Sequence, residues 1–243
     1  MTQTVALLHA LAGYFLWVVV DTAMKFTSQE ALSPPVIMAS LGLGSAVCCV
    51  GVAWARKKPS LLRPQKAKPQ ALLGLYAIAI NIANVLALKH LPLTVFYIAV
   101  FMCPLVIAVA SAVLKHERLT ATKVVCLAAG FFGVVCAINP GAETGIDAFG
   151  LAAAAASVVF FCISAITMQR LSKGADALTT QFYRALAVSG AGFLGALVYA
   201  PILPKFEPFA IMFVAGLINT FGMVFYIRGL QNTTATNVAQ LHY

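Results

Sequence analysis

Residues Pro92–Leu114 read PLTVFYIAVFMCPLVIAVASAVL, a run without one Asp, Glu, Lys or Arg. The hydrocarbon core of a bilayer is ~30 Å thick and needs roughly 20 apolar residues in helical rise. Lipid offers no partner to a bare N–H or C=O, so such a run must satisfy its own backbone, which a helix does. Working outward, Pro34–Ala55, Ala71–Leu88, Phe149–Gln169 and Pro208–Ile227 also lack all four charged residue types. Val5–Phe26, Thr120–Asn139 and Leu178–Tyr199 carry at most two charges each and complete a set of eight. The expected fold class is all-α, a polytopic transmembrane helix bundle. Eight complete helices are expected, with the start of a ninth in the tail.

Composition excludes the alternatives. Hydrophobic residues make up 61% of the chain and charged residues 9%, against about 25% charged in soluble domains. A water-soluble domain could not hide that much apolar surface. The net charge of +9 would suggest nucleic acid in a soluble protein. Here the basic residues sit between spans, where they orient the chain and meet anionic lipid heads. The partner they imply is the lipid bilayer, not nucleic acid. Cys48, Cys49, Cys103, Cys126, Cys136 and Cys162 all fall in apolar runs without metal-ligand spacing, so they are expected to be small buried hydrophobes. No Lys or Arg precedes the first span and no convincing cleavage site follows it, so it is expected to remain as a helix.

Counting Lys and Arg by loop gives an orientation. With the N-terminus in the cytoplasm, the inner side holds twelve, six of them in Arg56–Gln70, and the outer side holds Lys25, Lys89 and Lys205. Arg184 lies inside a span. The expected location is a bacterial inner membrane, multi-pass, with a cytoplasmic N-terminus.

The tail repeats an earlier junction. Leu88-Lys89-His90-Leu91-Pro92-Leu93-Thr94, between two spans, superposes on Leu230–Thr236 after a shift of 142 positions. The chain thus reads as five helices, then the start of five more. The expected boundaries are 1–139 for the first repeat and 140–243 for the second, which stops after its third helix.

Cys103-Pro104-Leu105 through Leu114-Lys115-His116-Glu117-Arg118-Leu119-Thr120, followed by a helix with Gly130 and Gly133, resembles the EamA family of the drug/metabolite transporter superfamily. Ala87–Leu93 and Tyr226-Ile227-Arg228-Gly229-Leu230 resemble it too. The resemblance implies ten helices in two five-helix repeats. Five is odd, so the copies run oppositely, as inverted repeats with a substrate site near the midplane between them. It also implies secondary transport of small organic solutes. Asp21-Thr22-Ala23-Met24-Lys25 is similar to the first helix of some bacterial members, including S-adenosylmethionine transporter-like ones.

Chemistry is then sought where polar atoms interrupt the apolar background. His9, Gly13, Trp17, Asp21 and Lys25 recur every four residues and form one row along the first helix. In one reading the row faces a cavity, where Asp21 binds a cationic substrate group or a coupling proton. In the other, Asp21 pairs with Lys25 at the membrane edge while Lys25 snorkels to the headgroups. Arg184 could clamp a carboxylate or phosphate, or reach the inner interface. Asn81, Asn84 and Asn219 either glue helices or line the cavity. Tyr97, Tyr226, Gln240 and His242 are weaker lining candidates. Pro104 removes a helical hydrogen bond and is a gating or structural candidate. Glu117, in a short turn, is another. Small residues at four-residue spacing, Ala187, Ala191 and Gly195, and also Ala129 and Gly133, are expected to pack helices within one molecule, with a homodimer face as the alternative.

No enzyme constellation is present. His9, His90, His116 and His242 lie on separate elements, and there is no His-x-x-x-His pair, Gly-rich phosphate loop or nucleophile elbow. No cofactor or metal is expected. The functional expectation is a secondary active transporter of a small organic metabolite, amino-acid-like, nucleoside-like or drug-like, working by alternating access. Its partners are the small-molecule substrate and a proton or counter-substrate. The alternative is a truncated or partner-dependent membrane protein without independent transport.

Overall fold

The computed structural model describes residues 3–29, 32–64, 67–113, 121–138, 147–171, 175–199 and 205–242. Among them every regular element is helical. The order is α1 (Gln3–Gln29), α2 (Pro34–Ala55), a 3-10 turn (Pro59–Leu62), α3 (Ala67–His90), α4 (Leu93–Val100), α5 (Cys103–Val113), α6 (Ala121–Ile138), α7 (Ala148–Leu171), α8 (Ala177–Tyr199), α9 (Phe206–Asn232), α10 (Ala235–Ala239) and a 3-10 turn (Gln240–His242). Seven spans among the described residues are long and apolar enough to cross a membrane, with Leu93–Ala110 counted as one.

Local chemistry sets the boundaries. Pro34 opens α2 in the first turn, where a missing N–H breaks no bond. At the other end of α2, Lys57 N bonds Trp54 O and Lys58 N bonds Ala53 O. Lys57 there takes a positive φ of 53°, the left-handed residue that closes such helix ends. The span Pro92–Leu114 is not one helix. It breaks at Phe101 and Met102, just before Pro104. Pro104 has no N–H to give the Val100 carbonyl, and it sits in the first turn of α5, where that loss is harmless.

The helices pack as a pseudo-symmetric pair. α2 crosses α8, its counterpart in the other half. α1 packs on α9, and the matching contact joins α7 to α3. α2 with α9 is matched by α8 with α3. Each contact thus has a mate under a two-fold exchange, the pattern of an isologous interface. The long contacts run antiparallel: Gly13 of α1 meets Gly222 and Tyr226 of α9, and Gly192 of α8 meets Pro35 and Ala39 of α2. This is an inverted repeat.

Small residues permit the crossings. A Cβ on Gly13 would lie 2.7 Å from Gly222 O, and one on Gly42 would lie 2.7 Å from Ser189 Cα. Backbones this close gain dispersion contacts that larger side chains would forbid. Gly195 faces Pro35, and Ala187 faces Gly74, so that stripe packs inside the molecule. The Ala129–Gly133 stripe does not: Ala129 is exposed and a Cβ on Gly133 would meet open space. Cys126 and Cys136, on the same helix, are exposed as well. α6 packs against α4 and α5 with only part of its surface, so residues expected inside face outward.

Most exposed side chains are apolar, including Phe15, Trp54, Leu197, Tyr199 and Phe206, as a lipid-facing surface requires. Trp54 and Tyr199 stand at span ends, where amphipathic aromatic rings favour the headgroup boundary. The two ends of the bundle differ in charge. One gathers Arg56, Lys57, Lys58, Arg63, Lys68, Arg170 and Arg228; the other holds Lys25, Lys89 and Lys205.

Candidate functional site

Two apolar clusters fill the bundle, one toward each end. The cluster at the basic end contains Tyr14, Leu73, Cys162, Met168, Tyr226 and Leu230. The other contains Met24, Leu88, Leu91, Phe96, Val188 and Met212. Between them lies a cavity of about 130 Å³, well above the ~10–15 Å³ that one water needs. Both halves line it. α1, α2 and α3 contribute Trp17, Asp21, Ser45, Asn81 and Asn84, while α7, α8 and α9 contribute Ser157, Gln181, Arg184 and Asn219.

The acid is not paired with Lys25. The Tyr97 hydroxyl of α4 donates to Asp21 Oδ2 at 3.1 Å. Lys25 Nζ instead donates to the Leu88 and Leu91 carbonyls at 2.8 and 2.7 Å. Leu88 stands in the last turn of α3, where carbonyls have no intrahelical donors, and Leu91 just beyond it; the ammonium supplies a donor to both. The expected Asp21–Lys25 pair is therefore corrected.

Arg184 is 6% exposed. Its Nη1 donates to Leu73 O at 3.3 Å and to Ser164 Oγ at 3.2 Å. The side chain points into the bundle and does not reach for an interface. Both partners are neutral, so its charge has no counter-ion among the described residues. Asp21 and Arg184 thus border one cavity as opposite charges that do not meet each other.

The amides serve different ends. Asn84 Oδ1 accepts from Ser157 Oγ across the α3–α7 contact. Asn219 Nδ2 donates to Ser45 Oγ at 3.3 Å across α9 and α2. Asn81, also in the lining, folds its Nδ2 back on Ala77 O of its own helix at 2.8 Å. An aromatic layer floors the cavity toward the basic end: the Trp17 ring lies 4.9 Å from Tyr226 and 6.0 Å from Phe161.

Of the residues singled out in the sequence, Trp17, Asp21, Asn81, Asn84, Arg184 and Asn219 line the cavity. Tyr97 touches it through Asp21, and Tyr226 through Trp17. Pro104 follows Cys103, a lining residue at the α4–α5 break. Gln240 and His242 lie in the terminal 3-10 turn, outside the lining. Glu117 falls outside the described residues. Sequence reading missed Ser45, Ser157 and Gln181. Serine in a span is common packing; for Gln181, the helix spacing that puts it on one face with Arg184, Ala185 and Val188 is the signal that could have found it.

The model of the EamA-like transporter family matches twice, over residues 4–139 and 148–243. One crystal structure shares 20% identity with this chain, covering 99% of it and 84% of its own length, with a TM-score of 0.78. That likeness shows the fold alone. No curated protein matches the chain. Two matches over nearly the whole sequence, on an inverted helical repeat with a polar cavity between the halves, settle the family: the chain belongs to the EamA-like transporter family, whose members carry small solutes across membranes.

Proposed function

We propose that the chain is a secondary carrier that moves a small zwitterionic metabolite, amino-acid-like in its charges, by alternating access. The observation that carries this reading is the pair Asp21 and Arg184, which border one cavity from opposite halves without pairing. An ammonium group suits the carboxylate and a carboxylate suits the guanidinium fork. The surrounding amides and hydroxyls offer neutral hydrogen bonds, and the aromatic floor takes an apolar side chain.

The driving force is a proton or counter-substrate gradient, with Asp21, the sole acid among the described lining residues, as the coupling group. The positive-inside rule supports a cytoplasmic basic end, and with it a cytoplasmic N-terminus; the proposed location is a bacterial inner membrane. The proposed division falls near residue 139. Counterflow into liposomes containing only this chain tests the reading. Saturable uptake of a labelled zwitterion, accelerated by the same solute inside, supports it. Uptake only in the presence of a second membrane protein favours the partner-dependent alternative.

A further inference from the structure

The contact between Lys25 and the corner after α3 has a twin. The alignment of α1 on α7 that places Trp17 on Phe161 also places Met24 on Met168 and Lys25 on Gln169. The alignment that places Leu88 on Leu230 places Leu91 on Thr233. Lys25 Nζ donates to Leu91 O at 2.7 Å, and Gln169 Nε2 donates to Thr233 O at 3.0 Å. The corners themselves match bond for bond. Leu91 N bonds Ala87 O, as Thr233 N bonds Gly229 O, and Phe96 N bonds Pro92 O, as Val238 N bonds Thr234 O.

We infer that Lys25 and Gln169 are a pseudo-symmetric pair of positioning residues, each clipping the corner between the third and fourth helices of its own repeat to that repeat's first helix. The inference rests on the carrier reading above. The two clips stand at opposite ends of the bundle, because α3 ends beside the start of α7, where His90 Nδ1 lies 2.6 Å from Asp147 Oδ2. Each clip also stands beside one apolar seal. Met24, Leu88 and Leu91 belong to the cluster at the Lys25 end; Met168, Leu230 and Val238 belong to the cluster at the Gln169 end. A helix that ends in a corner leaves carbonyls without donors, so a donor from the first helix fixes where that corner sits. Holding the corner holds the seal over the cavity.

The clips are unequal. Lys25 gives two charge-assisted bonds, while Gln169 gives one neutral bond. Charge-assisted bonds are about twice as strong as neutral ones. The Lys25 end is therefore the more firmly held, and opening alternates against that bias.

Sided labelling tests this. The full chain, with its six cysteines changed to serine, receives one reporter, Ala77→Cys, in the cavity lining. A membrane-impermeant maleimide is applied to right-side-out and to inverted vesicles. Lys25→Met is expected to raise labelling from the Lys25 end on the order of tenfold and to leave labelling from the other end no faster. Gln169→Leu is expected to raise labelling from the Gln169 end, by a smaller factor. Lys25→Gln, which borrows the twin's donor, is expected to restore most of the protection. If both variants raise labelling from the same end, or neither changes it, the pair is not a pair of clips. Should Lys25→Met fail to fold, the neutral exchange Gln169→Leu carries the same decision. Labelling requires no substrate, so a chain that shows no counterflow still reports on the clips, and the two failures are separable.

Discussion

Tyr97 and Asp21 meet across the gap between α4 and α1, the phenol donating to the carboxylate at 3.1 Å. A carboxylate deep in a bundle needs donors to offset lost hydration, and this one is supplied by a neighbour far along the chain. The bond fixes which way the carboxylate faces. Tyr97→Phe is therefore expected to raise KM for a zwitterionic substrate several-fold, the loss of about 1 kcal/mol typical of one hydrogen bond. Asp21→Asn removes the charge itself and is expected to cost more, with uptake losing its response to an imposed pH gradient. A variant that still accumulates substrate when the outside is acidified removes Asp21 from the coupling role.

Arg184 supports a different prediction. Its two neutral partners, Leu73 O and Ser164 Oγ, hold the guanidinium in place without cancelling its charge. Arg184→Met is expected to raise KM for substrates with a carboxylate on the order of tenfold to a hundredfold, matching the 1.5–3 kcal/mol of a hydrogen bond to a charged group. The same variant should leave a cationic analogue that lacks the carboxylate much less affected. Arg184→Lys keeps the charge but loses the planar fork, so its defect should lie between. Equal loss for both analogues would mean that Arg184 only holds α8 against α3.

These two residues also show how much of the site was legible in the sequence. Rarity exposed them: a lone acid and a lone Arg in apolar spans stand out whatever surrounds them. Spans and turns were legible for the same reason, since lipid length and backbone hydrogen bonding act locally. Partners were not. Four-residue spacing pointed Asp21 at Lys25, whereas tertiary packing delivered Tyr97 to the acid and carried Lys25 to the carbonyls of Leu88 and Leu91. Pro104 marked a disturbance, but only packing shows that the helix stops at Phe101 and Met102 and starts again. Ser45 and Ser157 were invisible because serine at a close crossing and serine lining a cavity look identical in one dimension.

The α2–α8 crossing gives a stability prediction with its own control. A Cβ at Gly42 would lie 2.7 Å from Ser189 Cα and 2.8 Å from Ser189 Cβ. The helices must then separate along their central contact. Gly42→Ala is expected to destabilise by roughly 1–3 kcal/mol, the usual range for overpacking. Gly51→Ala and Gly190→Ala meet nothing within 4 Å and gain helix propensity, so they should hold or raise the unfolding midpoint. Thermal unfolding of purified protein in detergent separates the cases. A Gly42→Ala midpoint equal to that of Gly190→Ala would show that the crossing is looser than its geometry.

The end of α2 supplies the opposite kind of test, a substitution expected to help. Lys57 holds a φ of 53°, where a Cβ crowds the backbone at a cost of roughly 1–2 kcal/mol. The conformation is kept because it lets Lys57 N and Lys58 N reach the Trp54 and Ala53 carbonyls, which the helix itself leaves without donors. Glycine adopts that conformation without the clash, though it also gains freedom in the unfolded chain. Lys57→Gly is expected to stabilise by about 1 kcal/mol or less as the difference of the two effects. It also removes one charge from a crowded basic loop, so Lys57→Ala is the control: it removes the same charge but keeps the Cβ. Unfolding midpoints in the order Gly above Ala, with Ala close to the parent, assign the gain to the backbone. If Ala rises as far as Gly, charge repulsion among Arg56, Lys57 and Lys58 is the larger effect.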